Sequence, residues 1–154
     1  MNTKNNKILR ISIIENAVIN YFETTKEVVY MNSRKRELVE CRSLIYYFVR
    51  KYTSATLSKC GDIGQSIKGS KTNHATVLHA VNNVIDACLY DKVMTNHVSN
   101  LEIILSERLN INPTFEALKN KFVNDLKDHT SKEDLINLID KLKTKLTIND
   151  EPNS

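Results

Sequence analysis

The sequence has no tryptophan and no uninterrupted apolar segment that approaches the length needed to span a membrane. Residues 1–7 are polar, and no hydrophobic signal region follows them. Valine, isoleucine and leucine are plentiful, but they recur at the helical spacing of about 3.6 residues rather than in alternation. These features argue against a membrane partner and predict a cytoplasmic, all-α chain.

Cysteine is scarce as well. Cys41, Cys60 and Cys88 are widely spaced and form no CxxC pair, so the sequence predicts buried reduced thiols rather than a disulfide framework. No GxxxxGK[ST] loop occurs, and no Ser/His/Asp, paired-carboxylate or metal-ligand constellation stands out. We therefore expect neither an enzyme nor a bound metal or cofactor.

Glycine occurs only three times, as Gly61, Gly64 and Gly69, and this cluster predicts a turn between two helices. We expect a first helix over residues 57–67, a left-handed Gly69, and a turn over residues 70–73 that leads into the next helix. This is the order of a helix-turn-helix unit. The two glycines inside the first helix cost about 1 kcal/mol each relative to alanine, and close packing against the crossing helix is the expected compensation.

The helix that begins near His74 is predicted to have one buried and one exposed face. The buried stripe consists of Val77, Val81, Val84, Ile85 and Cys88. The exposed face consists of Ala75, Thr76, His79, Asn82, Asn83 and Asp86. Small and polar side chains can approach base edges and phosphates closely, which favours a DNA recognition helix. An ordinary amphipathic surface helix is the alternative.

The net charge of +4 is unevenly distributed along the chain. Up to Tyr90 there are 13 Lys and Arg against 7 Asp and Glu, and from Asp91 onward there are 9 against 11. The basic bias is strongest over residues 34–71. A polyanion is the natural partner of such a surface. Charge alone does not distinguish DNA from RNA, an acidic protein or a plain solvated surface.

Three helices are predicted before the glycine cluster. A capping box at Ser12 and Glu15 predicts a first helix that ends near Glu23. A short second helix over residues 24–31 is expected to carry Val28 and Val29 inward. A third helix over residues 37–53 is long enough to be the central strut. Its predicted core face consists of Leu38, Cys41, Ile45, Phe48, Val49 and Tyr52, with Ser43, Tyr47, Arg50 and Lys51 opposite.

The segment from Arg34-Lys35-Arg36 to Arg42, with the helix-turn-helix and His74-Ala75-Thr76-Val77-Leu78-His79-Ala80, resembles the C-terminal DNA-binding domain (domain IV) of the bacterial replication initiator DnaA. The resemblance extends over residues 8–106. It implies a Trp-repressor-like helix-turn-helix bundle that binds double-stranded DNA in replication initiation or its regulation, in a mobile element or phage for example. Without a phosphate-binding loop, we expect a stand-alone small protein that lacks the initiator's ATPase module.

The same resemblance implies site residues. Arg34 matches an arginine that enters the minor groove, and the 34–36 loop, with Lys35 and Arg36, holds that groove and the backbone. Asn73, His74 and Ala75 match positions that read bases in the major groove, and Thr76 matches a phosphate contact. Arg42 and Lys71 complete the predicted DNA-binding set, and His79 is expected to be structural.

The sequence departs from the family pattern at two places. Thr72-Asn73 replaces the family's Arg-Asp, which puts recognition of the usual initiator sequence in doubt. The segment between Thr53 and His74 is longer than in the family, so either Cys60-Gly61 or Ile63-Gly64 corresponds to the family's Ile-Gly. A second function class stays open: a non-catalytic protein adaptor that keeps the fold and has lost DNA binding.

Residues 112–147 are predicted to form a helical hairpin after the break at Asn112-Pro113. The apolar stripe of the first helix consists of Phe115, Leu118, Phe122 and Leu126. The second helix is capped by the segment from Ser131 to Asp134, and its stripe consists of Leu135, Leu138, Ile139, Leu142 and Leu146. The hairpin either packs back on the core of the domain or mediates association, as a homodimer or with a replication or transcription protein. We expect residues 151–154 to be a frayed tail.

Overall fold

The computed structural model describes the backbone of residues 2–128 and 132–148, and the side chains of residues 5–125, 133, 136, 137 and 139–145. Over these residues the chain forms nine helices and no strand, which confirms the all-α prediction. They are α1 (Asn2–Tyr21), α2 (Lys26–Tyr30), α3 (Arg36–Tyr52), α4 (Leu57–Gly61), α5 (Gln65–Lys68), α6 (His74–Ala87), α7 (Lys92–Leu109), α8 (Phe115–Asp128) and α9 (Lys132–Ile148). None of these described helices is long and apolar enough to cross a membrane.

The first helix begins at Asn2, so the predicted start at Ser12 is wrong. Glu15 does not cap this helix, because its carboxylate has tertiary partners. Its Oε1 accepts a hydrogen bond from the Tyr30 hydroxyl at 2.8 Å, and its Oε2 pairs with Lys26 Nζ at 2.8 Å. This buried cluster fastens α1 to α2, and together with burial it raises the pKa of Tyr30 above its ordinary range.

The third helix is the central strut that the sequence predicts, with bounds one residue from those expected. It packs against α1, α2, α4 and α6, and its core residues Cys41, Ile45, Phe48 and Val49 are fully buried. Ser43 is also buried, contrary to the prediction, and its hydroxyl is satisfied by donating to the carbonyl oxygen of Val39.

Only one of the two adjacent valines in α2 reaches the core. Val29 is fully buried, whereas Val28 is 40% exposed, so the prediction for Val28 is wrong. The inward side of this short helix is formed by Val29 and Tyr30, and Val28 points about 100° away from Val29, on the side opposite to Tyr30. The Thr25 side chain caps this helix by accepting the Val28 backbone N–H.

The predicted helix over residues 57–67 is two short helices, α4 and α5, and the break lies at Gly64. Gly64 has φ = 75°, in the left-handed region, and no right-handed helix continues through such a residue. Gly69 ends α5 with φ = 76°, which confirms the left-handed turn expected there. Gly61 packs against the Thr72 backbone just before α6 and accepts the Thr72 N–H at 2.9 Å, so the expected close packing occurs there.

The eighth helix begins by packing back on the domain. Ala117 and Leu118 of α8 are buried together with Ile103 of α7. Phe115 is 70% exposed and does not join the stripe predicted for it. Of the other predicted hairpin residues, Ser131 and residues 149–154 lie outside the described residues, as do the side chains of Leu126, Asp134, Leu135, Leu138 and Leu146.

All three cysteines are free thiols, as predicted. Cys41 and Cys60 are fully buried, whereas Cys88 is only half-buried at the end of α6. Burial raises the pKa of the Cys41 thiol to about 12, which leaves it protonated and unreactive at neutral pH.

Candidate nucleic-acid interface

The α6 helix begins at His74, as the sequence predicts. It begins there because Asn73 caps it. Asn73 has an extended backbone, and its Oδ1 accepts the backbone N–H of Ala75 at 2.8 Å. An asparagine in this position satisfies one of the backbone donors that a helix N-terminus leaves without a partner. The first turn of α6 contains no acidic residue, so no side chain of that turn neutralises the positive end of the helix dipole.

The two faces of α6 divide largely as predicted. Val77 and Val84 are fully buried against α3 and α4, and Val81 and Cys88 are half-buried. Ile85 is 49% exposed, so its placement in the buried stripe is wrong. All six residues predicted for the outer face are exposed: Ala75, Thr76, His79, Asn82, Asn83 and Asp86.

The two histidines of α6 both lie on its exposed side. His74, the first residue of the helix, is exposed at the N-terminus beside Ala75 and Thr76. His79 lies 3.2 Å from Asn83 Nδ2 through its Nε2 atom, a contact between residues four apart on one helical face. His79 is therefore placed on the surface and does not pack in the core.

The basic loop before α3 carries two cations without partners. Arg34 and Lys35 are exposed, and neither side chain forms an ion pair or a hydrogen bond with any residue that the structure describes. Arg36 differs, because it is the first residue of α3. Its Nε donates to Glu40 Oε1 at 2.7 Å and its Nη2 lies 3.6 Å from Asp91 Oδ2, and the bond to Glu40 raises its pKa.

Arg42 of α3 holds the basic loop in place through hydrogen bonds to two backbone carbonyl groups. Its Nη1 donates to the carbonyl oxygen of Val29 at 2.6 Å, and its Nη2 donates to that of Ser33 at 2.7 Å. These are charge-assisted bonds to backbone on both sides of the turn that follows α2. The side chain thus fixes the position from which Arg34 and Lys35 project.

Lys71 is already paired with an acid. Its Nζ lies 2.7 Å from Asp62 Oδ1 and donates to Ser58 Oγ at 2.9 Å. Asp62 also pairs with Lys59, and the two lysines, Lys71 first, lower the pKa of its carboxyl. The charge of Lys71 is therefore less available to a partner than the charges of Arg34 and Lys35.

A groove of about 550 Å³ separates the base of the basic loop from α6, and it brings Arg42 and Thr76 of the predicted set together. Sequence patterns did not single out its other basic residue, Lys68, which ends α5. Arg34 lines a neighbouring groove of about 540 Å³ that runs along the second half of α6. The basic loop and α6 thus line the same two grooves and lie side by side. Two elements that contact one duplex must be adjacent in this way.

Comparison with known proteins assigns this arrangement to a family. The family model described as the bacterial dnaA protein helix-turn-helix matches residues 11–84, which run from within α1 to within α6. These residues belong to the bacterial DnaA helix-turn-helix family. Leu101 and Leu105 of α7 are buried in the same core as α1 and α3.

The similar proteins are chromosomal replication initiator proteins named DnaA. That of Bacteroides fragilis is 36% identical over 102 residues, which cover 66% of this chain and 20% of the relative. That of Flavobacterium psychrophilum is 35% identical over 96 residues, which cover 62% of this chain and 19% of the relative. The chain thus spans about a fifth of the length of the curated relatives it matches. No solved structure matches it significantly.

Proposed function

We propose that the chain binds double-stranded DNA in a sequence-specific manner and acts in replication initiation or its regulation. One observation carries the proposal. On a DnaA-type helix-turn-helix, the loop before α3 exposes Arg34 and Lys35, which have no ion pair among the described residues, and the N-terminal turn of α6 is exposed and free of acids. A helix N-terminus attracts phosphate, and arginine is suited to bases and phosphates alike. The name of the relatives supports the link to replication.

In the proposed complex α6 lies in the major groove and the loop reaches the minor groove. Asn73, His74 and Ala75 contact base edges, and Thr76 with the backbone N–H groups around it contacts a phosphate. Arg34 enters the minor groove, with Lys35 on the backbone beside it. Because they are held by protein acceptors, Arg36, Arg42 and Lys71 contribute less, and Arg42 acts mainly by positioning the loop.

A selection from random duplex DNA with the full chain tests this function. We expect a single enriched sequence after a few rounds, with the most selective positions spanning a major groove and the adjacent minor groove. Enrichment of nothing, together with no binding of any duplex at low salt, would reject the proposal. That result would favour the alternative of a protein adaptor built on the same fold.

The selected sequence should depend on Asn73. An amide both donates and accepts, which suits N6 and N7 of adenine, whereas a carboxylate only accepts, which suits the amine of cytosine. Both side chains cap helices well. Asn73→Asp should therefore keep α6 intact and shift one selected base from adenine toward cytosine, by about 1 to 3 kcal/mol of discrimination.

The matched control is Asn82→Asp, the same change at an exposed position of α6 about two and a half turns beyond Asn73. Both variants add one negative charge, so both should weaken binding somewhat. Only the Asn73 variant should change the preferred base. If neither variant changes the preferred base, Asn73 serves only as the N-cap of α6, through the hydrogen bond that its Oδ1 accepts from the Ala75 backbone N–H.

We also propose that α8 and α9 mediate self-association. Although Leu118 packs on α7, four apolar side chains stay exposed on this pair of helices. They are Phe115, Val123, Ile136 and Ile139. A contiguous patch of exposed apolar side chains is typical of an interaction surface. A second copy of the chain is the proposed partner.

Light scattering of the full chain tests the association. We expect the mass of a dimer for the wild type and of a monomer for Ile136→Lys, because a charge in an apolar contact is costly. Asn137→Lys adds the same charge at the next, polar and exposed position of α9 and should leave the dimer intact. A monomeric wild type would reject the proposal.

A further inference from the structure

The groove between the basic loop and α6 has an unusual charge composition. Its basic residues, Arg42 and Lys68, are accompanied by hydroxyl, amide and apolar side chains, and no aspartate or glutamate lines it. Neither cation forms an ion pair with any carboxylate in the described part of the chain. The neighbouring groove differs, because Glu40, Asp86 and Asp91 line it together with Arg34 and Arg36.

Lys68 is held in this groove by neutral groups only. Its ammonium donates to the hydroxyl oxygen of Thr72, which also accepts a bond from the Tyr46 hydroxyl at 3.3 Å. The same ammonium lies 5.6 Å from the centre of the Tyr30 ring. The Tyr30 hydroxyl points instead to Glu15, whose charge Lys26 balances, so this carboxylate does not serve as a counter-ion for Lys68.

The placement of Lys68 costs stability in the free protein. Burial lowers the pKa of its ammonium, and the nearby Arg42 guanidinium lowers it further. Both effects mean that the charged form is less favourable here than in water. An anion in the groove would reverse them by giving the two cations a shared partner.

We propose that this groove binds a phosphate of the DNA backbone and that Lys68 supplies the contact. The inference rests on the proposed function, because the groove lies between the two elements proposed to hold DNA. Ser33 at the base of the loop lines one side, and Thr76 in the first turn of α6 lines the other. A phosphate seated there accepts bonds from Lys68, from the remaining donors of Arg42 and from the Thr76 hydroxyl.

The test compares the salt dependence of duplex binding for four versions of the full chain. Lys68→Gln removes the charge and keeps a hydrogen-bond donor, whereas Lys68→Arg keeps the charge. Arg108→Gln is the control for charge, because Arg108 is an exposed residue near the end of α7, outside the proposed interface. Neutralising one phosphate-bound cation should reduce the log–log salt slope by about 1.

We expect Lys68→Gln to lose about one unit of this slope, and Lys68→Arg and Arg108→Gln to retain the wild-type slope. An unchanged slope for Lys68→Gln, with DNA binding otherwise intact, overturns the phosphate contact and leaves the proposed function standing. Equal losses for Lys68→Gln and Lys68→Arg also overturn it, because charge would not be the cause. A wild type that binds no duplex overturns both.

A second arm distinguishes the DNA backbone from free phosphate. Chloride is replaced by inorganic phosphate at constant ionic strength, and DNA binding is measured for the wild type and for Lys68→Gln. We expect phosphate to weaken DNA binding more for the wild type than for Lys68→Gln, because it competes with the DNA phosphate for the groove. Equal weakening of the two proteins would show that DNA does not occupy this groove and would overturn the inference. Thermal melting of Lys68→Gln should show a melting temperature close to that of the wild type, which excludes unfolding as the cause of a reduced slope.

Discussion

Gly64→Ala should lower the free energy of unfolding by about 2 to 5 kcal/mol, the sum of left-handed strain and overpacking. Gly64 has φ = 75°, where a Cβ atom is strained against the following carbonyl. A Cβ there would also lie within 2.6 Å of carbons of the Tyr30 ring. That ring is fully buried and tied to Glu15, so it cannot move aside without breaking the cluster that joins α1 to α2.

Gly69→Ala is the matched control for this prediction. Gly69 has almost the same φ, 76°, but nothing lies within 4 Å of the position its Cβ would occupy. It should therefore cost only the left-handed strain, about 1 to 2 kcal/mol. Urea unfolding of the three proteins measures both values. Equal costs would show that the contact with Tyr30 does not constrain the turn.

Arg34→Ala should weaken binding of the selected duplex by about 1 to 3 kcal/mol, roughly fivefold to 150-fold, and relax the preference at the bases it contacts. Arg34 is exposed and has no protein partner among the described residues, so its removal should leave the fold unchanged. Fluorescence anisotropy with a labelled duplex measures the affinity.

Two further arginines make this result interpretable. Arg108 is an exposed arginine near the end of α7, outside the proposed interface, and Arg108→Ala should bind as the wild type does. Arg36 lies two residues from Arg34 but is paired with Glu40, so Arg36→Ala should lose less affinity than Arg34→Ala. Equal losses for Arg34→Ala and Arg36→Ala would indicate a general charge effect rather than a specific contact.

The parts of the fold that local patterns determine could be predicted from the sequence. The bounds of α3 and the start of α6 follow from apolar periodicity and from an asparagine cap, which are properties of neighbouring residues. The left-handed Gly69 could be predicted for the same reason. The family match adds that the helix-turn-helix has the order expected from the glycine cluster.

The features that tertiary contacts determine could not be predicted in this way. The motif at Ser12 and Glu15 has the form of a capping box, but Glu15 is held by Tyr30 and Lys26, which no local pattern reveals. Gly64, where the helix breaks, packs against the Tyr30 ring, a contact between residues far apart in the sequence. Lys68 enters the candidate site only because α5 ends beside Arg42, and Lys71 is weakened as a candidate by Asp62.

The most direct test of the central claim is the affinity of the full wild-type chain for a random-sequence duplex as a function of salt. The proposed interface predicts measurable binding at low salt and a logarithm of the binding constant that falls linearly with the logarithm of the salt concentration. The slope should be about −0.9 for each phosphate neutralised, and several phosphates should be neutralised by Arg34, Lys35, Lys68 and the α6 N-terminus. No binding at low salt, or an affinity that does not change with salt, would contradict the account.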